Sequence, residues 1–517
     1  MTDIRIISDT LGGSALSQLL QRREAPAAWS ATPPRSAGEW RERALQRARE
    51  RQWEECWSVL EPAFAATGRA AERLNRVRRL GGVVVTTGQQ PGLFGGPVYT
   101  WSKAMGALAM ADALERATGV ATAAVFWAAT DDADFIEASY TVIAQIGGAE
   151  VLRSESAPPA GTPMSRTPLG DLSRLRARLR GAAGSAADPR ALGMVDDAYA
   201  DPERTVGDAY VAMLRVLLEP LGMPVIDASH PSVRAASDPT LRAALRHAAD
   251  IEQALDARSH AIRAAGLEPQ VVDIAGLSLA FVREGGLKRR LTVVEAAGIA
   301  DDAHAWLTPN VVLRPIVEQA ILPTVAYLGG PGEIAYFAQV SAIADALGVA
   351  RPLALPRWSC TLVEPHVEWL LQRFGVAPDA LATPDSLEGA VARAAMSERS
   401  TDTLGALRKT IEALPAALAP ESDPLGLNAA VQGAMQSLLH RADRLERRLV
   451  AGVKRREHDL LRDVATLRAA LYPLRTRQER ALNLIPILSR HGLDLLPEMR
   501  DAAAQHAARL VGASGIS

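Results

Sequence analysis

The chain has 517 residues and only two cysteines, Cys56 and Cys360, which lie in different regions with no paired spacing. That excludes a disulfide framework and a cysteine zinc site, and it fits a reducing compartment. The chain has no excess charge of one sign: 57 Lys and Arg stand against 59 Asp and Glu, a net charge of −2. It therefore lacks the electrostatic footprint of a nucleic-acid binder, and no nucleic-acid partner is expected. It lacks long apolar runs: the stretches 104–111 and 123–129 are far short of a membrane span. Residues 1–8 show no basic segment followed by an apolar run, so no signal peptide, no membrane partner and a cytoplasmic location are expected. The nine histidines form no HExxH motif and no close cluster, so no metal is assigned. A GxSxG elbow, a Walker loop, a GxGxxG fingerprint and internal repeats are all missing.

Apolar residues make up 48% of the chain, enough for sizeable cores, and the length predicts two or three domains. Residues 1–80 read as a short strand at 4–7 followed by a helical segment packing on the core. In its span 40–60, rich in Arg, Glu, Ala and Trp, the residues Trp53, Cys56, Trp57 and Leu60 form an amphipathic stripe. Residues 81–360 alternate strand-like and helix-like segments, with strands at 83–87, 123–129, 140–146, 224–227, 271–282 and 324–328. Helices are read at 104–116, 211–218, 241–265 and 333–347, an insertion around 150–205, and a basic turn at 283–290. Such alternation predicts an α/β fold, a Rossmann-like parallel-sheet core covered on both faces. Residues 361–471 turn helical: Pro415, Pro420 and Pro424 mark a loop, after which no proline occurs from Leu425 to Tyr472. There Val431, Met435, Leu438, Ala442, Leu445 and Leu449 form a heptad seam, broken near Arg456 and resumed by Leu460, Val464, Leu467 and Leu471. The seam reads as a long helical arm or a coiled coil that makes a homodimer, with a buried bundle helix as the alternative. Residues 472–517 read as a tail returning to the core.

Two loops stand out chemically. The first runs Gly88-Gln89-Gln90-Pro91-Gly92-Leu93-Phe94-Gly95-Gly96-Pro97 between a β-branched run and a helix carrying Lys103. A strand, a glycine turn and a helix start aim backbone N–H groups and the helix dipole at one point, so this loop is read as an anion cradle with Lys103 in support. The alternative is a tight structural turn. The second is Gly329-Gly330-Pro331-Gly332-Glu333 after the strand holding Tyr327, with Tyr336 and Gln339 following at helical spacing. Both loops are expected on the carboxyl rim of the sheet, where open α/β sheets bind ligands. A third candidate is the acidic turn Asp131, Asp132, Asp134, three carboxylates in four residues, able to hold an amine, a sugar hydroxyl or Mg²⁺; an N-capped surface turn is the alternative. Asn310, Arg314 and Arg357 sit among apolar neighbours, and each arginine suits either a substrate carboxylate or a structural salt bridge. Cys360 reads as a buried, inert thiol.

These motifs resemble those of a known family. Residues 87–100, Thr-Gly-Gln-Gln-Pro-Gly-Leu-Phe-Gly-Gly-Pro-Val-Tyr-Thr, running into Lys103, look like the hallmark of the bacillithiol-biosynthesis cysteine-adding enzymes, the BshC cysteine ligase family. Val125-Phe-Trp with Asp131-Asp-Ala-Asp-Phe, Pro309-Asn-Val-Val-Leu-Arg-Pro, residues 322–339, Pro356-Arg357 and Gln478-Glu-Arg with Asn483 continue the resemblance in order. It spans nearly the whole chain. It implies a Rossmann-like core, a dimerising coiled-coil arm, and amide formation between L-cysteine and the amine of glucosaminyl malate. It also implies ATP or ADP as a candidate cofactor, through a distant likeness to class I aminoacyl-tRNA synthetases, although no HIGH-like or KMSKS-like string is present. One position departs from the family pattern. Its acidic turn carries histidine at the third place, where this chain has Ala133. Alanine moves no proton, so two alternatives stand beside the cysteine ligase: a ligase for another amino acid or amino sugar, and an inactive ligand-binding paralogue.

Overall fold

The computed structural model describes residues 2–512 except 186–187, 273 and 384–385. Among the described residues twelve strands form: β1 (Arg5–Ser8), β2 (Val83–Gln89), β3 (Thr122–Ala128), β4 (Tyr140–Gln145), β5 (Gly148–Arg153), β6 (Val225–Asp227), β7 (Leu277–Glu284), β8 (Leu287–Thr292), β9 (Leu307–Pro309), β10 (Thr324–Gly329), β11 (Ala354–Pro356) and β12 (Cys360–Val363). Five make one sheet in the order β11-β10-β2-β3-β6, and every pair in it is parallel. All of β3 and nearly all of β2 are buried, as expected for a parallel sheet covered on both faces. The α/β Rossmann-like expectation therefore holds.

From β2 the chain steps to β3 and β6 on one side, and later to β10 and β11 on the other. The strand order thus reverses between β2 and β10, a switch point at which the following loops part and leave a crevice.

Helices seat the sheet. Trp53, Cys56, Leu60 and Phe64 pack with Val84, Val125, Trp127 and Ile226, which places the expected stripe in the core. The stripe belongs to a second helix, however. The helical span 40–60 is two helices, Ala37–Glu50 and Trp53–Phe64. The first is tied to β10 through Arg43 Nε to the Val325 carbonyl (2.9 Å) and Arg47 Nε to that of Thr324 (3.3 Å). The helix Val98–Thr118 packs on β2 and β3, and the late helix Leu495–Val511 packs on it in turn.

Other boundaries also move. The helix read at 241–265 is two, Pro231–Arg246 and Ala248–Ala264. The basic turn at 283–290 is mostly strand. β7 and β8 pair antiparallel around Gly285 and Gly286, whose φ of +57° and +90° supply the reversal. The proline loop at 415–424 is largely a helix, Leu414–Ser422, with Pro415 in its first turn, where no N–H is missed.

The chain divides into two compact units. One holds residues 1–143, 151–362 and 479–517, the other 144–150 and 363–478. In the second, Asn428–Arg456 and His458–Leu471 form the long arm, broken at Glu457. Its helix Asn428–Arg456 packs against Ser386–Ala394, Glu398–Glu412 and Leu414–Ser422. The face turned inward includes the buried Ala442 and Val450, while Leu438, Leu445 and Leu449 of the predicted seam are 40%, 47% and 40% exposed. Among the described residues no helix is long and apolar enough to cross a membrane.

Candidate active site

A cavity of about 820 Å³ opens where β2 and β10 end. The backbone there demands glycine at two points. A Cβ on Gly88 would lie 2.6 Å from the Trp127 carbonyl oxygen, and one on Gly329 would lie 2.9 Å from Glu333 Cβ. Of the residues singled out above, Gln89, Gln90, Lys103, Asp131, Asp132, Asp134, Asn310, Arg314, Tyr327, Gly330, Glu333, Tyr336 and Arg357 line this cavity. Gly92, Gly95, Gly96, Gly329 and Gln339 do not.

Lys103 is buried in the second turn of its helix. Its three ammonium protons meet three acceptors: the Gly88 carbonyl (2.9 Å), Gln89 Oε1 (3.0 Å) and Glu333 Oε2 (2.5 Å). Glu333 also accepts from the Tyr327 hydroxyl at 2.5 Å and from Gly330 N–H at 2.7 Å, which closes the start of the helix Pro331–Ala346. Burial opposes ionisation of Glu333, but these donors, Lys103 first, outweigh it and hold the carboxyl below the usual glutamate value. Burial also draws Lys103 below the usual lysine value, with Glu333 opposing that fall; the bonding geometry is that of an ion pair.

The network continues through Arg314. Its guanidinium donates to Glu318 (2.9 Å), Tyr327 Oη (3.3 Å) and Tyr336 Oη (3.2 Å), and Glu318 in turn accepts from the Thr86 hydroxyl. Burial raises the Glu318 carboxyl above its usual value, with Arg314 opposing. Arg357, buried just past β11, makes a two-pronged bond to Glu479 at 2.8 and 2.7 Å and also donates to Ser102 Oγ. Arg314 and Arg357 therefore already have carboxylate partners within the chain.

The first glycine loop is closed from inside. Val98 N–H donates to the Leu482 carbonyl, Gly96 N–H to that of Leu93, and Gly95 N–H to that of Gly92. Asn483 Nδ2 reaches the carbonyls of Leu93, Phe94 and Gly96. The N–H groups of Gly95, Gly96 and Val98 are thus spent on the fold. Gln89 donates to Tyr99 Oη, and Gln90 donates to Glu137. Gln339 is buried and bonds both the N–H and the carbonyl of Val271, and Asn310 Oδ1 accepts from Leu313 N–H.

In the acidic turn, Asp134 caps a short helix by accepting from Ile136 N–H, and Asp132 accepts from Asp134 N–H. Asp131 faces Lys288 at 3.6 Å, and its carbonyl accepts from the same ammonium at 2.8 Å. Burial, reinforced by Asp131, lifts the Asp132 carboxyl above the usual aspartate value. Among the described residues no group of three or more His, Cys, Asp or Glu is placed to hold a metal.

The sequence reading missed the far wall. Phe281, Arg283, Lys288 and Arg290 line the cavity from the β7–β8 hairpin, joined by Arg234 and Trp306. The signal was available: 281 and 283, and 288 and 290, are spaced by two, the period of one sheet face. Cys360 is buried as expected, and burial pushes its thiol well above the usual cysteine value.

Two family models match this chain: the N-terminal Rossmann-like domain of bacillithiol biosynthesis BshC over residues 19–358, and its C-terminal coiled-coil domain over residues 360–510. A protein of Solibacter usitatus named "Putative cysteine ligase BshC" is 31% identical over 83% of this chain and 84% of its own length. One of the same name from Koribacter versatilis is 30% identical over 86% of each, and one from Staphylococcus carnosus 26% identical over 80% and 81%.

Proposed function

Since this chain belongs to the BshC family, we propose that it is a cysteine ligase, joining L-cysteine to the amine of glucosaminyl malate. In that reaction the amine nitrogen bonds the cysteine carboxyl carbon and one carboxyl oxygen departs. Without an activating group that oxygen leaves as water, taking the two protons shed by the ammonium. The observation that carries this reading is the cavity at the β2–β10 switch point, where the family's separate motifs meet around the Lys103–Glu333 pair. Asp132 is the proton acceptor for the amine. Burial raises its carboxyl toward the working pH, and general bases work best there. The adjoining Ala133, also on the cavity wall, supplies none of the acid–base chemistry of a histidine. Lys103, Glu333 and Tyr336 fix the shape and polarity of the pocket and orient the cysteine.

No step runs through an adenosine nucleotide. The helix Val98–Thr118 gives its first N–H to Leu482, and Pro331–Ala346 begins at a proline and carries its own carboxylate, so neither start is an open phosphate cradle. Nucleotide is therefore a variable of the test. The exposed stripe Leu438, Leu445, Leu449 is proposed as the homodimer contact.

The test incubates the protein with L-cysteine and glucosaminyl malate, with and without ATP and Mg²⁺, and reads product mass, with Ala133→His run beside it. Bacillithiol from the native protein is expected. Product from Ala133→His alone would locate the lost chemistry at position 133 and leave the native chain as a ligase for another amino acid or amino sugar or as an inactive ligand-binding paralogue. No product from either would sink the ligase assignment.

A further inference from the structure

The far wall of the cavity holds positive charge that the fold does not neutralise. In the β7–β8 pairing Arg283 stands directly opposite Lys288, an arrangement in which like charges repel across the strands. Lys288 is committed to Asp131. Arg283 has no carboxylate within salt-bridge distance among the described residues, and neither has Arg234 on the neighbouring helix Pro231–Arg246. Both guanidiniums rest instead against the Trp306 ring, with Cζ at 4.4 Å for Arg283 and 4.7 Å for Arg234. The Arg283 N–H bonds the Trp306 carbonyl at 2.9 Å, which fixes strand and ring together.

The Nε–H of each arginine is buried and has no acceptor among the described residues. Three further buried groups lining the same cavity lack partners as well: Trp127 Nε1, Ser229 Oγ and Thr308 Oγ1. Native proteins pair most such groups with protein, water or ligand, and here five of them line one cavity beside two guanidiniums that have no carboxylate. Guanidinium keeps its charge at any physiological pH, and its fork of donors matches carboxylate or phosphate.

We propose that Arg234 and Arg283, held on Trp306, bind an anionic group of the substrate, a carboxylate or a phosphate, as an anion subsite of this cavity. The proposal rests on the ligase reading only for which anion is bound. Under that reading it is the dicarboxylate end of the acceptor, which places the amine toward the acidic turn. Arg314 and Arg357, with their partners in the fold, are then left to hold the cavity's shape.

Calorimetric titration of the purified full chain with L-malate, and separately with ADP, tests this without turnover. It is run on the native protein and on the Arg283→Gln and Arg234→Gln variants, with unfolding temperature recorded for each. Loss of malate affinity on the order of 30-fold in each folded variant is expected, with a shallower dependence of affinity on salt. The same loss for ADP instead of malate supports the subsite and makes its anion a phosphate. The proposal is overturned if folded variants bind both anions as the native protein does, or if the native protein binds neither. Product formation is read separately, so failure of the ligase reading leaves this outcome intact.

Discussion

At the switch point every proton of Lys103 has an acceptor, and Glu333, Tyr327, Arg314 and Glu318 pass one another hydrogen bonds in sequence. Across the same cavity Arg283 and Arg234 meet an indole ring and no carboxylate among the described residues. Both regions carry charge out of bulk water, which is costly unless the charge is paired. The first meets that cost within the fold and so is rigid before any ligand arrives. The second is half-buried and leaves its buried N–H groups to be met by the ligand. The difference separates residues that hold the site's shape from residues that recognise, although all are charged and all line one cavity.

The sharpest break would come from the turn joining the two regions. Asp132→Asn is expected to lower kcat by about 10²–10⁴-fold while the protein stays folded. Because burial raises the Asp132 carboxyl and a base works when ionised, native kcat should rise with pH through a value above that of ordinary aspartate. A pH–rate profile unchanged in the variant would remove Asp132 from the proton transfer.

Next in size is Lys103→Met, which strands the Glu333 carboxylate and should cost about 3 kcal/mol of stability in denaturant unfolding. The Lys103→Met/Glu333→Met pair should recover most of that loss. Non-recovery would mean that the two are not a structural unit. For Arg283→Gln the contrast predicts the opposite pattern: little change in stability, and a KM for the malate-bearing substrate raised on the order of 30-fold with that for cysteine unmoved. Equal rises in both would erase the distinction between the two regions.

The smallest effect is in pH stability. The folded-state pKa of Glu333 lies below its unfolded value, so its contribution is present above the unfolded pKa and is lost as pH falls through the folded one. Between about pH 6 and about pH 3, melting temperature should therefore fall more for the native protein than for Glu333→Gln. Parallel curves would show that Glu333 gains nothing from its partners.

The strands and glycine loops were legible because β-branched runs bounded by glycine have few other conformations open to them. Lys103 and Glu333 were legible singly, but not as a pair, since the sheet order that joins them leaves no trace in local periodicity. Arg314 and Arg357 read as equally fit for a substrate or a salt bridge, and their partners Glu318 and Glu479 come into view only in three dimensions. The hairpin wall was read as a turn because its alternating residues are charged on both faces, which blurs a period-two signal. In the arm, Leu438 and Leu439 are adjacent, so a strict heptad took the exposed Leu438. The inward face, by contrast, drifts with the 3.6-residue turn toward Ala442 and Val450.

Asn483 and Glu479, which hold the first glycine loop and Arg357, come from the last stretch of the chain, as does the helix packed over Val98–Thr118. Polypeptides emerge from the ribosome amino end first. The Rossmann-like core must therefore wait, without the Asn483 amide on its loop carbonyls and without the Glu479 carboxylate on Arg357, while the whole helical arm is translated. For this protein, the arm's length sets a delay between making the site's first motif and being able to finish it. A nascent chain arrested inside the arm would hold most of the cavity's residues and none of its closure.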